Sequence, residues 1–376
     1  MVYGLARQQV RMGHRVTVVT TDALDDQRRT HAMGFEAEPT GMRVERFRNL
    51  SNALAYQHQL FLPAGAGRFL AHAARSHDVI HLHGHRHLLN NLAIREARRH
   101  DIPVVMTPNG TLPILERKQT AKRIWDLVVG DAVIRRCDMF IAVSRAEVAQ
   151  FRKAGIGADR IHMVPNGIEL EEFEPSPERG AFRARLGIGD APLVLYLGKI
   201  TPRKGVSHLL DAFAEVNHQN AHLVIAGNDM TGEMEGLHRR QQDLGLGDRV
   251  HFVGLLVGPD RLRVLADADV LVYPSVHEIF GLVPFEGLLS GTPVVVSGDC
   301  GCGELVARAG AGFLVPFGDA SALARHIDTL LGDRFVGSMM VDRGRAYIER
   351  HFAWPEVASK TDAVYDAARK RRRARL

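Results

Sequence analysis

The chain has few cysteines and no long hydrophobic run. Its three cysteines, Cys137, Cys300 and Cys302, are too few for a disulfide framework, which fits a reducing cytoplasm. No apolar run reaches the roughly 18 residues that a transmembrane helix needs. The first residues lack a basic segment followed by an apolar core, so we expect no signal peptide. These absences favour a cytoplasmic protein.

The composition is that of a soluble globular protein. Hydrophobic residues make up 45% of the chain and charged residues 24%. A length of 376 residues is more than one ordinary core contains and predicts two domains.

Short β-rich runs alternate with stretches of helical spacing. The predicted strands are 15–20, 42–47, 78–83, 103–107, 139–143, 161–165, 192–197, 221–226, 250–253, 269–273, 293–297 and 312–315. The predicted helices are 122–137, 146–154, 206–217, 233–244, 260–266 and 321–331. This alternation predicts an α/β fold with parallel sheets and right-handed crossovers.

We divide the chain into two Rossmann-like, doubly wound domains. The predicted boundaries are 1–170 for the first domain, 171–191 for a linker rich in Glu, Pro and Gly, 192–350 for the second domain, and 351–376 for a helix with a basic tail.

Two glutamates in the second half are the most informative feature of the chain. Glu278 lies on a predicted strand-to-helix loop, and Glu286 lies in the following helix. Between them, Phe280, Gly281 and Leu282 open that helix, where free N–H groups favour an anion such as phosphate. Carboxylates beside such a position suit sugar hydroxyls. A solvated helix face is the alternative for two glutamates at this spacing alone.

With its surroundings, the pair resembles the Glu-x7-Glu motif of retaining GT-B glycosyltransferases of the group 1, or family 4, type. The resemblance extends from Leu5 to about Tyr365 and implies two Rossmann-like domains facing across a cleft. It also implies that Glu278 holds the donor sugar hydroxyls and Glu286 the ribose hydroxyls.

A second element of that family matches after the strand that ends at Leu197. Residues 198–205 resemble Gly-Arg-x-x-x-x-Lys-Gly, with Lys199 in place of the arginine and Lys204 as the lysine. The resemblance implies that both lysines stabilise the leaving diphosphate. Lysine keeps the charge of arginine but loses its fork, so we expect altered affinity. A turn with solvated lysines is the alternative.

Further glycine-rich turns resemble the donor side of the family. Gly198 and Gly227 follow two strands, and Leu255 follows a third where the family contacts the nucleotide base. Residues 299–304 resemble the Gly-Gly-x-x-Glu loop beside the sugar. Ordinary tight turns explain the glycines of this last loop equally well.

The first half departs from the family twice. Asn109 stands where many members have a histidine near the anomeric carbon, and an amide does not take a proton at neutral pH. The chain also begins inside the first helix, without the usual first strand and Gly-rich phosphate loop. We expect this form to fold or work poorly. A misplaced start and a protein that no longer transfers sugar are the two explanations.

Three patterns suggest metal sites, and we expect none of them to bind metal. Asp267-x-Asp269 precedes a strand and is interpreted as a helix-to-strand turn. Cys300-x-Cys302 has too few thiolates for a structural zinc site. The alternating histidines of 81–87 cross from a strand into a loop, and we expect one or two of them to line the cleft.

The basic end of the chain, residues 368–376, has two interpretations. One is a frayed, solvated tail. The other is attraction to anionic lipid, which would make the protein peripheral on the inner face of the cytoplasmic membrane. Nucleic acid is not an expected partner, because no aromatic residues interleave the basic ones.

The resemblance implies a metal-independent hexosyltransferase without a cofactor. Its donor would be a nucleoside diphosphate sugar and its acceptor a hydroxyl of a glycan or lipid-linked glycan, as in cell-surface polysaccharide or glycolipid synthesis. The alternatives are an inactive sugar-nucleotide-binding scaffold and a nucleotide-sugar epimerase of GT-B type.

Overall fold

Each predicted β-rich run contains a strand in the computed structural model of the chain. The strands are β1 (Val16–Thr21), β2 (Met42–Phe47), β3 (Ile80–His83), β4 (Val104–Thr107), β5 (Met139–Ala142), β6 (Ile161–Met163), β7 (Leu193–Leu197), β8 (His222–Ala226), β9 (Val250–Gly254), β10 (Val270–Tyr273), β11 (Val294–Ser297) and β12 (Gly312–Val315). Buried parallel strands are continuous apolar runs, which is why the sequence predicts them well.

Helices connect these strands. They are α1 (Val2–Arg11), α2 (Asn52–His58), α3 (Ala66–Ala73), α4 (Leu88–Arg99), α5 (Asp131–Arg136), α6 (Arg145–Lys153), α7 (Ala181–Leu186), α8 (Val206–Glu215), α9 (Met234–Asp243), α10 (Pro259–Asp267), α11 (Val283–Leu289), α12 (Gly301–Ala309), α13 (Ala320–Gly332), α14 (Arg334–His351) and α15 (Trp354–Arg373). Side-chain caps begin several of them: Ser144 accepts from the Glu147 N–H at 3.3 Å and Asp319 from the Ala322 N–H at 2.9 Å.

The structure describes residues 1–25, 28–30, 41–58, 60–113, 120, 123, 125–126 and 130–375. Part of the predicted helix 122–137 therefore lies outside the described residues. Among the described helices, none is both long enough and apolar enough to cross a membrane.

The chain divides into two units. The first contains Met1–Gly167 and Trp354–Leu376, and the second contains Ile168–Ala353. Two segments differ from the predicted boundaries. The segment 171–191 is a folded part of the second unit, because it contains α7 and buries Phe182 to 1% exposure. The final helix belongs to the first unit.

The second unit contains a six-stranded parallel sheet in the order β12-β11-β10-β7-β8-β9. Its central strands are buried on both faces, and every residue of β7, β10 and β11 is buried. Helices α8 and α13 pack together over one large apolar core. The burial fixes the carboxyl edge of the sheet, from which the predicted donor loops emerge.

The first unit contains two parallel sheets. One has the order β3-β4-β5-β6, and the other consists of β1 and β2. Within the described residues, β1 is not paired with β3. Helix α15 packs on β4 and β5, and α1 packs on α15, so the last helix of the chain completes the core of this unit.

Candidate active site

The predicted donor-side residues lie at the carboxyl edge of the second sheet. Lys204 follows β7, Glu278 follows β10, and these two strands are hydrogen-bonded neighbours. After β7 the chain continues to β8 and β9 on one side, then crosses to β10 on the other. Ligands of open α/β sheets bind at such a reversal of strand order. The topology therefore places Lys204 and Glu278 where a ligand is expected.

Lys204, Tyr273 and Glu278 form one hydrogen-bonded cluster. The Lys204 ammonium donates to Glu278 Oε2 and, at 2.7 Å, to the Tyr273 hydroxyl. The Tyr273 hydroxyl donates to the same carboxylate oxygen at 3.0 Å. The side chains of Lys204 and Glu278 are 15% and 26% exposed. Both charges thus remain reachable by a ligand while the cluster holds them in place.

The cluster sets the protonation of its acidic groups. Burial acts to raise the pKa of Glu278, but the charge and hydrogen bond of Lys204, with the Tyr273 hydrogen bond and the Arg203 charge, outweigh it and lower that pKa. Burial and then the Glu278 charge raise the pKa of Tyr273 well above its usual value. At neutral pH the site therefore offers an ionised carboxylate and a neutral phenol beside the Lys204 side chain.

The loops after β7 and β8 approach each other closely. A Cβ at Gly227 would lie 1.7 Å from the carbonyl oxygen of Gly198, so no larger residue fits there. The Gly198 N–H donates to the Ala226 carbonyl at 2.9 Å, and the Gly227 N–H donates to the Gly254 carbonyl at 2.8 Å. The packing of the protein itself thus requires glycine at 227. A contact between these glycines and a donor remains a prediction.

Glu286 lies on α11 and faces an arginine. Arg261 of α10 approaches Glu286 Oε2 at 2.5 Å and Glu172 Oε2 at 2.7 Å. The Glu286 side chain is 17% exposed. The arginine holds the carboxylate on one side through Oε2, and the sequence contained no motif that indicated this partner.

The segment 280–282 is only partly what the motif suggested. The Phe280 ring is buried and packs against Phe285 and Phe352, so only its backbone is available to a ligand. Gly281 has a φ of +68°, and Leu282 is the N-cap of α11. The side chain of Phe280 therefore belongs to the core.

Lys199 and Leu255 are exposed. Leu255 retains 63% of its surface, and Lys199 forms no ion pair with any described residue. The Lys199 carbonyl accepts a hydrogen bond from the buried Tyr196 hydroxyl at 2.6 Å. Their predicted contacts with diphosphate and base remain predictions.

In the first unit, His81, His83, Thr107 and Asn109 line a pocket at the carboxyl ends of β3 and β4. His81 bonds the Tyr365 hydroxyl at 2.8 Å and the Thr107 hydroxyl at 2.7 Å. His83 Nδ1 and Asn109 Oδ1 are buried without a partner among the described residues. Both atoms are unpaired polar groups of residues that line the pocket.

Asn109 has a left-handed backbone with a φ of +51°. Asparagine and histidine both tolerate this conformation better than most residues. The buried Glu147 holds the same loop, because its carboxylate accepts from the Gly110 N–H at 2.7 Å and from the Val143 N–H at 2.9 Å. Burial raises the pKa of Glu147 to about 7, although these two hydrogen bonds act to lower it.

Burial keeps the histidines of β3 and its loop neutral. It lowers the pKa of His81, which the His83 charge lowers further, and it lowers the pKa of His83 to about 4. Burial and the Arg86 charge lower the pKa of His85 to about 4, partly offset by Asp126, which lies 3.4 Å from His85 Nε2.

The two aspartates of the Asp267-x-Asp269 pattern bond other groups of the protein. Asp267 accepts hydrogen bonds from the N–H groups at the start of α7, and Asp269 pairs with Arg183 at 2.5 Å, which confirms a turn at the amino end of β10. Within the described ranges, no group of three or more His, Cys, Asp or Glu side chains could hold a metal ion.

Sequence reasoning missed Tyr273, Arg203 and Glu147. Tyr273 looked like the last residue of an apolar strand, and Arg203 stands between the two residues of the matched motif. For Glu147 the sequence does contain one signal. It is the third residue after Ser144, and this capping-box spacing marks the start of a helix.

Two family descriptions match the chain. "Glycosyl transferase 4-like domain" matches residues 1–167, and "Glycosyl transferases group 1" matches residues 178–347. A D-inositol 3-phosphate glycosyltransferase of Xylanimonas cellulosilytica is 32% identical over 332 residues, which are 83% of this chain and 77% of that protein. An uncharacterized glycosyltransferase of Methanocaldococcus jannaschii is 32% identical, and there the chain spans 55% of the relative.

Two solved structures have the same fold. Sucrose-phosphate synthase of Thermosynechococcus elongatus superposes with a TM-score of 0.77 at 26% identity. The match covers 97% of this chain and 92% of the synthase chain. Anabaena HepE in complex with UDP and glucose gives a TM-score of 0.73 at 23% identity, with 96% and 94% covered. Both support the expected fold class, with two Rossmann-like domains.

Proposed function

The chain belongs to the group 1, or family 4, glycosyltransferases and has the GT-B fold, and on that premise we propose its reaction. It is a retaining, metal-independent transferase that moves a hexose from a nucleoside diphosphate sugar to a hydroxyl of a glycan or lipid-linked glycan. The UDP and glucose bound by HepE support a sugar nucleotide as the donor. The inositol phosphate named for one relative supports a polyol hydroxyl as the acceptor.

The hydrogen-bonded cluster of Lys204, Tyr273 and Glu278 is the observation that carries this proposal. A fixed ammonium beside an ionised carboxylate at the strand reversal suits a ligand with both phosphates and hydroxyls. Lys204 would stabilise the charge that develops on the departing diphosphate, and Lys199 would add a second, more exposed cation. The N–H groups of 281–282 at the start of α11 would contribute in the same direction.

The carboxylates would bind the donor hydroxyls. Glu278 would accept from the sugar, because its carboxylate is ionised and already anchored through one oxygen. Glu286 would accept from the ribose through Oε1, since Arg261 lies against Oε2. Asn109 would hydrogen-bond near the anomeric carbon, and a departing phosphate oxygen would take the acceptor proton, so no histidine is needed there.

A panel of UDP-, GDP- and ADP-hexoses with sugar and inositol phosphate acceptors tests the reaction. We expect transfer from one donor, with the product glycosidic bond keeping the anomeric configuration of the donor by proton NMR. Inversion would overturn the retaining mechanism. Release of an epimerised sugar nucleotide would establish the epimerase, and tight binding without any turnover would establish an inactive binding protein.

Metal independence has its own experiment. The cations at the diphosphate are side chains, so a chelator should leave the transfer rate unchanged. Loss of activity with the chelator, restored by manganese or magnesium, would contradict this part of the proposal.

A further inference from the structure

Two thiols lie in contact beside the carboxylate of the donor cluster. The Sγ atoms of Cys300 and Cys302 are 3.1 Å apart at the amino end of α12. Cys300 is 7% exposed, and Cys302 is fully buried. The proposed transfer reaction uses neither thiol.

The local backbone brings these two sulfurs together. Cys300 is extended and caps α12, with its sulfur accepting from the Gly303 N–H at 3.4 Å. Cys302 lies in the first turn of that helix. The change from extended to helical backbone at Gly301 turns both side chains to the same side.

The dithiol is coupled to the Glu278 loop by direct packing. The Gly301 N–H donates to the Glu278 carbonyl at 2.6 Å. Gly281 lies between the two groups: a Cβ at this position would be 3.0 Å from Cys302 Cβ and 3.0 Å from Glu278 Cγ. A movement of Cys302 therefore shifts the loop that carries Glu278.

We propose that Cys300 and Cys302 form a redox-active dithiol, which a peroxide converts to an intramolecular disulfide, and that this modification displaces the Glu278 loop and weakens donor binding. The second part rests on the proposed function. Intracellular disulfides of mesophiles are usually transient and often redox-sensing, which suits a pair that contacts a binding loop.

The chemistry requires one peroxide for each pair. The Cys300 sulfur attacks one peroxide oxygen and forms an S–O bond to it, which makes the Cys300 sulfenic acid. The O–O bond breaks, and the other oxygen leaves as water or alcohol with the Cys300 proton. The Cys302 sulfur then attacks the Cys300 sulfenic acid, the S–O bond breaks, and water leaves with the Cys302 proton. Two thiols are oxidised to one disulfide, and the peroxide is reduced.

The environment of the pair assigns these roles. Cys300 keeps 7% of its surface and Cys302 none, so Cys300 is the partner that an oxidant reaches first. The hydrogen bond from the Cys302 thiol lowers the pKa of Cys300, with a contribution from the Gly303 N–H, and burial opposes both. That same hydrogen bond and burial raise the pKa of Cys302, which remains a thiol until Cys300 has reacted.

Hydrogen peroxide treatment followed by peptide mass spectrometry tests the dithiol independently of any sugar. We expect the unreduced peptide that contains both cysteines to lose two hydrogens, and dithiothreitol to restore them. Cys137→Ser, a variant at a buried thiol of the first unit, should behave like the wild type. Cys300→Ser and Cys302→Ala should form no such link, and serine at 300 keeps a good helix cap.

Titration of nucleotide sugar into the reduced and oxidised protein tests the coupling. Oxidation should weaken donor affinity by about tenfold or more in the wild type and in Cys137→Ser, and not in the two other variants. Absence of the two-hydrogen loss in folded wild-type protein would overturn the dithiol. A disulfide that leaves donor affinity unchanged would overturn the coupling. If even the reduced protein bound no nucleotide sugar, the proposed function would fail, and the mass readout would still decide on the dithiol.

Discussion

At the scale of single residues, Tyr273 joins the two charges of the donor cluster. Its hydroxyl accepts from Lys204 and donates to Glu278, so it holds both in a fixed arrangement. A hydrogen bond to a charged group contributes about 1.5–3 kcal/mol. Tyr273 is therefore a positioning residue. Loss of its hydroxyl should change the pKa of Glu278 without removing a charge from the site.

Tyr273→Phe should move the acid limit of donor binding to higher pH. Glu278 has a lowered pKa, so binding that needs its carboxylate is present above that pKa and lost as the pH falls through it. Without the hydroxyl the pKa of Glu278 rises, so binding is lost at a higher pH when the solution is acidified. Donor affinity measured by titration across the acid range checks this.

Tyr347→Phe is the matched control, because Tyr347 belongs to the same unit and its ring packs on His351 and Phe352, which are not residues of the cluster. An unchanged acid limit in Tyr273→Phe, equal to that of the control, would show that the hydroxyl does not support Glu278.

The sequence predicted Lys204 and Glu278 because both belong to motifs with fixed spacing. It did not predict Tyr273, because a tyrosine at the end of an apolar strand looks like any core residue. Its role depends on the direction in which the side chain leaves the strand. Arg261 was missed for a related reason, since its partner Glu286 is brought near only by the packing of α10 and α11.

At the scale of secondary structure elements, the strands could be predicted from the sequence. The unit to which a short helix belongs could not. Composition made 171–191 look like a linker. Its helix α7 is nevertheless fixed by Asp267, more than eighty residues away, whose carboxylate accepts from Gly180 at 2.5 Å, Phe182 at 2.7 Å and Arg183 at 3.0 Å. Contacts of such sequence separation leave no local pattern.

Asp267→Ala should destabilise the second unit. The change leaves three N–H groups near the core without their acceptor, and each costs about 1–3 kcal/mol when it stays unpaired. We expect the free energy of unfolding in urea to fall by at least about 2 kcal/mol. Donor affinity of the folded protein should not change, because Asp267 lies at the amino end of β10 and the donor cluster follows its carboxyl end.

Asp260→Ala provides the comparison, since the ion pairs of Asp260 with Arg185 and Arg263 are exposed. Exposed ion pairs of this kind contribute little to stability. Equal stability of the two variants would contradict the capping role of Asp267.

At the scale of the whole molecule, the chain returns to its first unit at the end. The basic residues at the end of the chain meet aspartates of that unit: Arg371 pairs with Asp159 at 2.6 Å, Arg372 with Asp101 at 2.7 Å, and Arg375 lies 3.4 Å from the buried Asp138. The structure thus contradicts a frayed end for these residues. The sequence indicates the positive charges of this segment, but it does not indicate the aspartates that pair with them, because those are distant along the chain.

Arg372→Ala should lower the melting temperature of the protein. Arg372 also lies 3.9 Å from Asp138, a fully buried carboxylate, so its loss removes compensating charge from the interior. Arg373→Ala removes the same charge from an exposed position and should leave the melting temperature unchanged. Equal melting temperatures of the two variants would refute the structural role of the tail.

Membrane contact through residues 370–376 remains a proposal, and Arg373→Ala tests it as well. If the tail binds anionic lipid, Arg373→Ala should reduce sedimentation with anionic liposomes, and added salt should reduce it further by screening. Sedimentation that depends neither on salt nor on this residue would leave the tail with its structural role alone.

The most direct test of the donor site is calorimetric titration of nucleotide sugars into the wild type, Lys204→Gln and Lys153→Gln. Lys153 is an exposed lysine of α6 in the first unit and serves as the charge-matched control. Because one preorganised charge at such a site contributes about 3 kcal/mol, we expect Lys204→Gln to bind roughly a hundredfold more weakly. We expect Lys153→Gln to bind like the wild type. Equal affinities of all three proteins, or no binding by the wild type, would contradict the account.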